Sequence, residues 1–92
     1  MHEKAVLRDL LRKVDEVARA NGSSRLTRVR LWVGALSHFS ESSLRDHWND
    51  AVPGTVAEGA KLELEVSDDR TDPRAQGVVL VSVDADPTEK SR

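Results

Sequence analysis

The sequence predicts an α/β domain (α+β) of order α-β-α-β-β, with two helices packed on one face of a mixed three-stranded sheet. Three observations carry this. Apolar residues recur at helical spacing over residues 6–18. Residues 27–33 alternate strictly: Thr27, Val29, Leu31 and Val33 share one face, and Arg28, Arg30 and Trp32 the other. Two further strand-like runs follow a second helical segment, so a strand–helix–strand unit is followed by one more strand. Such a unit favours a right-handed parallel crossover. The last two strands, joined by a polar loop, are expected to pair as an antiparallel hairpin.

The first helix is expected over residues 4–20. Val6, Leu7, Leu10, Leu11, Val14, Val17 and Ala18 form its apolar stripe, and Arg8, Arg12, Asp15, Glu16 and Arg19 fill the opposite face. Glu3 and Arg19 suit the two ends of the helix dipole, and Asn21-Gly22 supplies a left-handed stop. The central strand follows. Gly34 permits the turn after it. Ser40-Glu41-Ser42-Ser43 has the composition of an N-cap, opening a second helix over residues 41–51 that Pro53-Gly54 ends. Trp48 is its core anchor, and His47, off the apolar stripe, is expected at the surface. Residues 61–66 and 78–83 are the remaining strands, the latter the most β-branched. Leu62, Leu64 and Val66 are expected to join Val29, Leu31 and Val33 beneath the helices. Residues 67–77 form the polar connection, and residues 87–92 a flexible polar tail.

Composition excludes several functions. With 92 residues the chain makes one domain, and 38% hydrophobic against 33% charged residues is too apolar for disorder. It has no cysteine, so disulfides, thiolate nucleophiles and Cys-based metal sites are out. No apolar run reaches membrane-spanning length, and the charged start (Glu3, Lys4, Arg8, Asp9) lacks the apolar core of a signal peptide. A cytoplasmic protein is expected. The charge is uneven: residues 1–30 hold eight Lys/Arg against four Asp/Glu, and residues 31–92 six against twelve.

No glycine-rich phosphate loop and no nucleophile–base set is visible, so no enzyme is expected. Arg28, Arg30 and Trp32 on one sheet face have the chemistry to stack and neutralise a single-stranded nucleic acid, but three aromatics and a net charge of −2 argue against it. The remaining candidate is Met1-His2-Glu3. Its amine, the His2 amide and the His2 imidazole, with the next amide or a carboxylate oxygen, make a tetragonal N/O set suited to Ni(II) or Cu(II). The ligands must be deprotonated, so binding weakens in acid. A merely exposed histidine is the competing reading, and the pattern leaves both open. His38 sits in a loop, where solvation competes with any metal role.

The chain resembles the HypA/HybF family of hydrogenase nickel-incorporation proteins. Met1-His2-Glu3 opens directly into a helix, as that family does. Residues 27–37, ending Gly34-Ala35-Leu36-Ser37, resemble its first strand and turn, and Ser43-Leu44-Arg45 its second helix. Residues 54–64, running Gly-Thr-Val-Ala-Glu-Gly-Ala-Lys-Leu-Glu-Leu, are similar to its entry to the next strand, and residues 77–84 to its closing strand. The resemblance implies a single HypA-like nickel-binding domain over residues 1–86, with Met1, His2 and Glu3 as the metal residues. It implies a metallochaperone serving a nickel enzyme such as [NiFe]-hydrogenase, with a HypB-like GTPase and the enzyme apoprotein as partners. The family's zinc domain, held by two Cys-x-x-Cys pairs, would fall at residues 67–77, where this chain has a short loop; no structural zinc is expected. The alternative is a protein-interaction module that keeps the fold without the metal.

Overall fold

A computed structural model of the chain describes residues 3–23 and 25–85, Glu3 by its backbone alone. The order is α1 (Glu3–Ala20), β1 (Leu26–Val33), α2 (Glu41–Ala51), β2 (Lys61–Val66) and β3 (Val78–Ala85). Each predicted element is present; α1 starts one residue earlier and β3 runs two residues further than expected. The predicted tail, residues 87–92, lies outside the described residues.

α1 buries Leu7, Leu10, Val14 and Ala18, one per turn, and packs on β3 and α2. It ends in a Schellman motif. Gly22 adopts φ +71°, Ser23 N–H donates to the Ala18 carbonyl at 2.9 Å and Gly22 N–H to that of Arg19 at 3.1 Å. α2 is capped as expected: Ser40 Oγ accepts from Ser43 N–H at 3.1 Å. At its far end Val52 N–H donates to the Trp48 carbonyl. Arg45 ties α2 to the sheet, donating to the Leu62 carbonyl at 3.0 Å.

The sheet order is β2-β1-β3. β1 pairs parallel with β2, Val29 opposite Leu62 and Leu31 opposite Leu64. It pairs antiparallel with β3, Val29 opposite Val83 and Val33 opposite Val78. The sheet is therefore mixed, but the predicted β2–β3 hairpin does not form. The 67–77 segment instead crosses the end of β1 and delivers β3 to its other edge. The physical reason lies in the strands: β1 is apolar enough to sit between two neighbours, while β2 carries Lys61, Glu63 and Glu65 and suits an edge.

The crossing is tight. Leu36 N–H donates to the Ala75 carbonyl at 2.8 Å, Gly34 N–H to that of Gly77 at 2.9 Å, and Ser67 N–H to that of Val33 at 2.9 Å. Ala75 is buried. The strap is also braced from within: Asp69 Oδ1 accepts from Thr71 N–H at 2.9 Å and Asp72 Oδ1 from Arg74 N–H at 2.7 Å.

Two packing expectations need correction. Thr27 faces out and Leu26 takes the core position (2% exposed), because the β1–β3 register shifts between Leu26 and Arg28. A register irregularity of this kind re-aims the side chains on either side of it. Val66 is 55% exposed, so the covered face of β2 ends at Leu64, which is half-buried. The core is otherwise as read: Val29, Leu31, Val33, Leu44, Trp48 and Leu62 meet the α1 stripe.

The 54–60 turn has its own logic. Gly54 and Gly59 adopt φ +83° and +81°. Glu58 accepts from Gly54 N–H at 3.1 Å, and Thr55 Oγ1 donates to the Val52 carbonyl and accepts from Ala57 N–H. This seats Ala57 in the core and lets the Val56 carbonyl accept from Leu26 N–H at 2.9 Å.

Candidate functional site

Met1 and His2, the predicted imidazole ligand among them, lie outside the described residues. The described chain does locate the point from which they extend, because Glu3 opens α1. The short link over residues 21–25 puts the end of α1 beside the start of β1, where Val17, Ala18, Leu26 and Ala85 line one depression. α2 is the crossover between two parallel strands, so it runs opposite to β1. The first half of α1 lies beside the last turn of α2, and a groove of about 480 Å³ between them is lined by Lys4, Leu7, Arg8 and Leu11 from α1 and by His47, Asp50 and Ala51 from α2.

His47 is half-buried in this groove rather than on open surface. Sequence reading missed that Lys4 and His47 line one groove. The i, i+3 spacing of His47 and Asp50 and the i, i+4 spacing of Lys4 and Arg8 were the available signals, each placing two residues on one helical face.

His38 lines a different depression, of about 520 Å³, at the carboxyl ends of β1 and β2, with Leu36, Phe39, Ser67 and Arg70. It is exposed, and its backbone takes φ +65°. Among the described residues no three His, Asp or Glu side chains converge as a metal-binding group.

The open sheet face pairs its own charges. Glu63 accepts from Arg30 at 3.0 Å and lies 3.3 Å from Arg28 Nε, and Arg28 also reaches Asp84 at 3.8 Å. The Arg74 guanidinium sits 4.7 Å over the Trp32 ring, a cation–π contact that covers the aromatic. Arg28 and Arg30 thus have acidic partners on the sheet, and Trp32 is covered by a residue of the 67–77 segment.

The Arg30 hydrogen bond, helped by the charges of Arg28 and Lys61, holds the Glu63 carboxyl below its ordinary value. A carboxylate lowered in the folded state stabilises the fold above its unfolded pKa, about 4.3, and that contribution is lost as pH falls through the lowered value. Thermal midpoints measured from pH 7 to pH 3 are therefore expected to fall less steeply below pH 4 in Glu63→Gln than in the parent chain. Parallel curves would show that this carboxylate contributes nothing to the acid limb.

With this geometry in view, comparison with known proteins decides the family. The model of the family described as "HypA: Hydrogenase/urease nickel incorporation, metallochaperone, hypA" matches residues 1–74. The chain belongs to the HypA family. A "Hydrogenase maturation factor HypA" of Chlorobium limicola is 40% identical over 65 residues, covering 71% of this chain and 56% of the relative. One from Xanthobacter autotrophicus is 42% identical over 62 residues, covering 67% and 55%. The chain thus spans little more than half the length of the curated relatives it matches. In fold it is similar to the "Solution structure of the Ni metallochaperone HypA from Helicobacter pylori", with a TM-score of 0.79 at 18% identity, over 92% of this chain and 97% of that one. That likeness supports the α+β architecture. No described helix is long and apolar enough to cross a membrane.

Proposed function

We propose that this chain is a nickel metallochaperone, binding Ni(II) at its N-terminus and passing it to a nickel enzyme such as [NiFe]-hydrogenase in the cytoplasm. The observation that carries the proposal is the HypA family match, which begins at residue 1 and so takes in Met1-His2-Glu3. Met1 supplies its amine, His2 its amide nitrogen and imidazole, and Glu3 its amide or carboxylate oxygen, a set of N and O donors that suits tetragonal Ni(II). Residues 1–86 act as one nickel-binding domain in which the 67–77 strap, without cysteine, stands in place of a zinc domain. Handover proceeds by ligand exchange, with no catalytic step. A HypB-like GTPase and the enzyme apoprotein are the partners.

Calorimetric Ni(II) titration of the untagged protein tests this, beside His2→Ala and a variant with two residues added before Met1. One-to-one binding, micromolar or tighter, is expected in the parent and is lost in both variants. Affinity is expected to fall as pH drops below the imidazole range, about 6.5. Weak binding unchanged by either alteration would reject the proposal and leave a protein-interaction module.

A further inference from the structure

We infer that the outer edge of β2 is a docking site for an extended, basic segment of a partner protein, which adds to the sheet as a fourth strand. The inference stands independently of the nickel reading. β2 has β1 on one side and no strand on the other. Ser67 N–H donates to the Val33 carbonyl, so the odd-numbered residues of β2 turn their backbone groups to β1. Backbone direction alternates along a strand, which aims the N–H and C=O of Leu62, Leu64 and Val66 away from the sheet. The outward Leu62 carbonyl is the one that Arg45 takes at 3.0 Å. The backbone groups of Leu64 and Val66 remain for a partner.

When a peptide adds to a sheet edge, main-chain bonds give affinity and alternate side chains give selectivity. Alternation puts Glu65 on the open face, where it is exposed and, among the described residues, forms no ion pair. Glu63, its neighbour on that face, is already held by Arg28 and Arg30. Val66 belongs to the other face. It is 55% exposed and, with half-buried Leu36 and Phe39, lines the depression at the carboxyl ends of β1 and β2. Asp68 and Arg70 also line that depression, and their charges offset. A strand laid along Leu64 and Val66 therefore sets one side chain over an apolar floor and the next beside an uncompensated carboxylate. The matching segment alternates an aliphatic residue with Lys or Arg.

A second copy of this chain fits the edge less well. With the Leu62 carbonyl taken, an antiparallel copy would pair Leu64 with Val66 of the other copy. That register sets Glu65 directly against its own counterpart, and facing like charges destabilise a strand pair. Acidic charge at the edge thus blocks indiscriminate pairing while favouring a basic strand. β3 is the sheet's other edge, but its pairing with β1 shifts between Arg30 and Leu31, which breaks its row of outward groups. β2 pairs with β1 without a shift from Lys61 to Val66.

The test is an NMR titration of the isotope-labelled full chain with a blocked peptide, Thr-Lys-Val-Lys-Val-Lys-Thr, and with its counterpart carrying Glu for Lys. The variants are Glu65→Lys and Val66→Pro, and thermal melts verify that each folds. Val66→Pro removes an outward N–H without touching the bonds to β1. With the Lys peptide the parent is expected to show saturable shifts at Leu64, Val66 and residues 36–39, and slowed exchange of the Leu64 and Val66 amides. Val66→Pro is expected to lose affinity about fivefold or more, the worth of one hydrogen bond. Glu65→Lys is expected to prefer the Glu peptide. Absence of saturable shifts with the Lys peptide overturns the inference, as do shifts centred on β3, equal affinity of the parent for the two peptides, or parent-like affinity in Val66→Pro. Concentration-dependent shifts of the same β2 amides without peptide make a second copy the occupant and overturn it as well.

Discussion

Replacing Trp48 with alanine is expected to cost about 3–5 kcal/mol, the range for deleting a large aromatic from a core. Trp48 is the largest of the fully buried side chains, 1% exposed. It projects from α2 into the space closed by the α1 stripe and by Val29 and Leu31 of β1. A chain of this size has a total stability on the order of 5–14 kcal/mol, so the change removes a large fraction of it. Urea denaturation followed by far-UV circular dichroism checks this without relying on the lost fluorophore. Trp48→Phe, which keeps an aromatic ring, should lose less than half as much. A loss under about 1 kcal/mol in Trp48→Ala would contradict the packing described.

Gly34→Ala should be nearly as damaging for a different reason. A Cβ on Gly34 would lie 2.1 Å from the Ala75 carbonyl oxygen and 2.5 Å from its carbon. Those atoms are backbone, and they are held by the hydrogen bond from Leu36 N–H, so no side-chain rotation relieves the clash. The strap has to lift off the end of β1. Overpacking of this kind costs about 1–3 kcal/mol or more, and at 4–8 °C per kcal/mol for a small domain the thermal midpoint should drop by roughly 4–24 °C. Gly54→Ala makes a useful contrast: nothing lies within 4 Å of its Cβ, and only the positive φ is penalised. Equal midpoints for the two variants would argue against the close crossing at Gly34.

What could be read from the residues followed from periodicity. The α1 stripe, the alternation of β1, the Ser40 cap and the Trp48 anchor are local patterns, and each stands where its spacing put it. Sheet order is not a local property. The 67–77 segment has the polarity of a hairpin loop, and nothing in its composition says that Ala75 packs on Gly34. The same holds for Leu26 and Thr27, because a register shift depends on the partner strand. The candidate site divides likewise. The proposed Met1-His2-Glu3 donors are contiguous in the sequence, so that proposal needs no tertiary information. The placing of His47 and Lys4 in one groove depends on how the two helices pack, which no local pattern carries.

The strap has a consequence for how this fold can change length. Its turns are braced by their own side chains, Asp69 with Thr71 and Asp72 with Arg74, and most of it is solvent-exposed. Its two ends are fixed independently, at Val33 by Ser67 and at Gly34 by Gly77. Between such anchors, doubling a flexible loop adds only about 0.6 kcal/mol of closure entropy. A whole module can therefore be gained or lost between β2 and β3 over generations while the helices, the sheet and the approach to the chain's start stay unaltered.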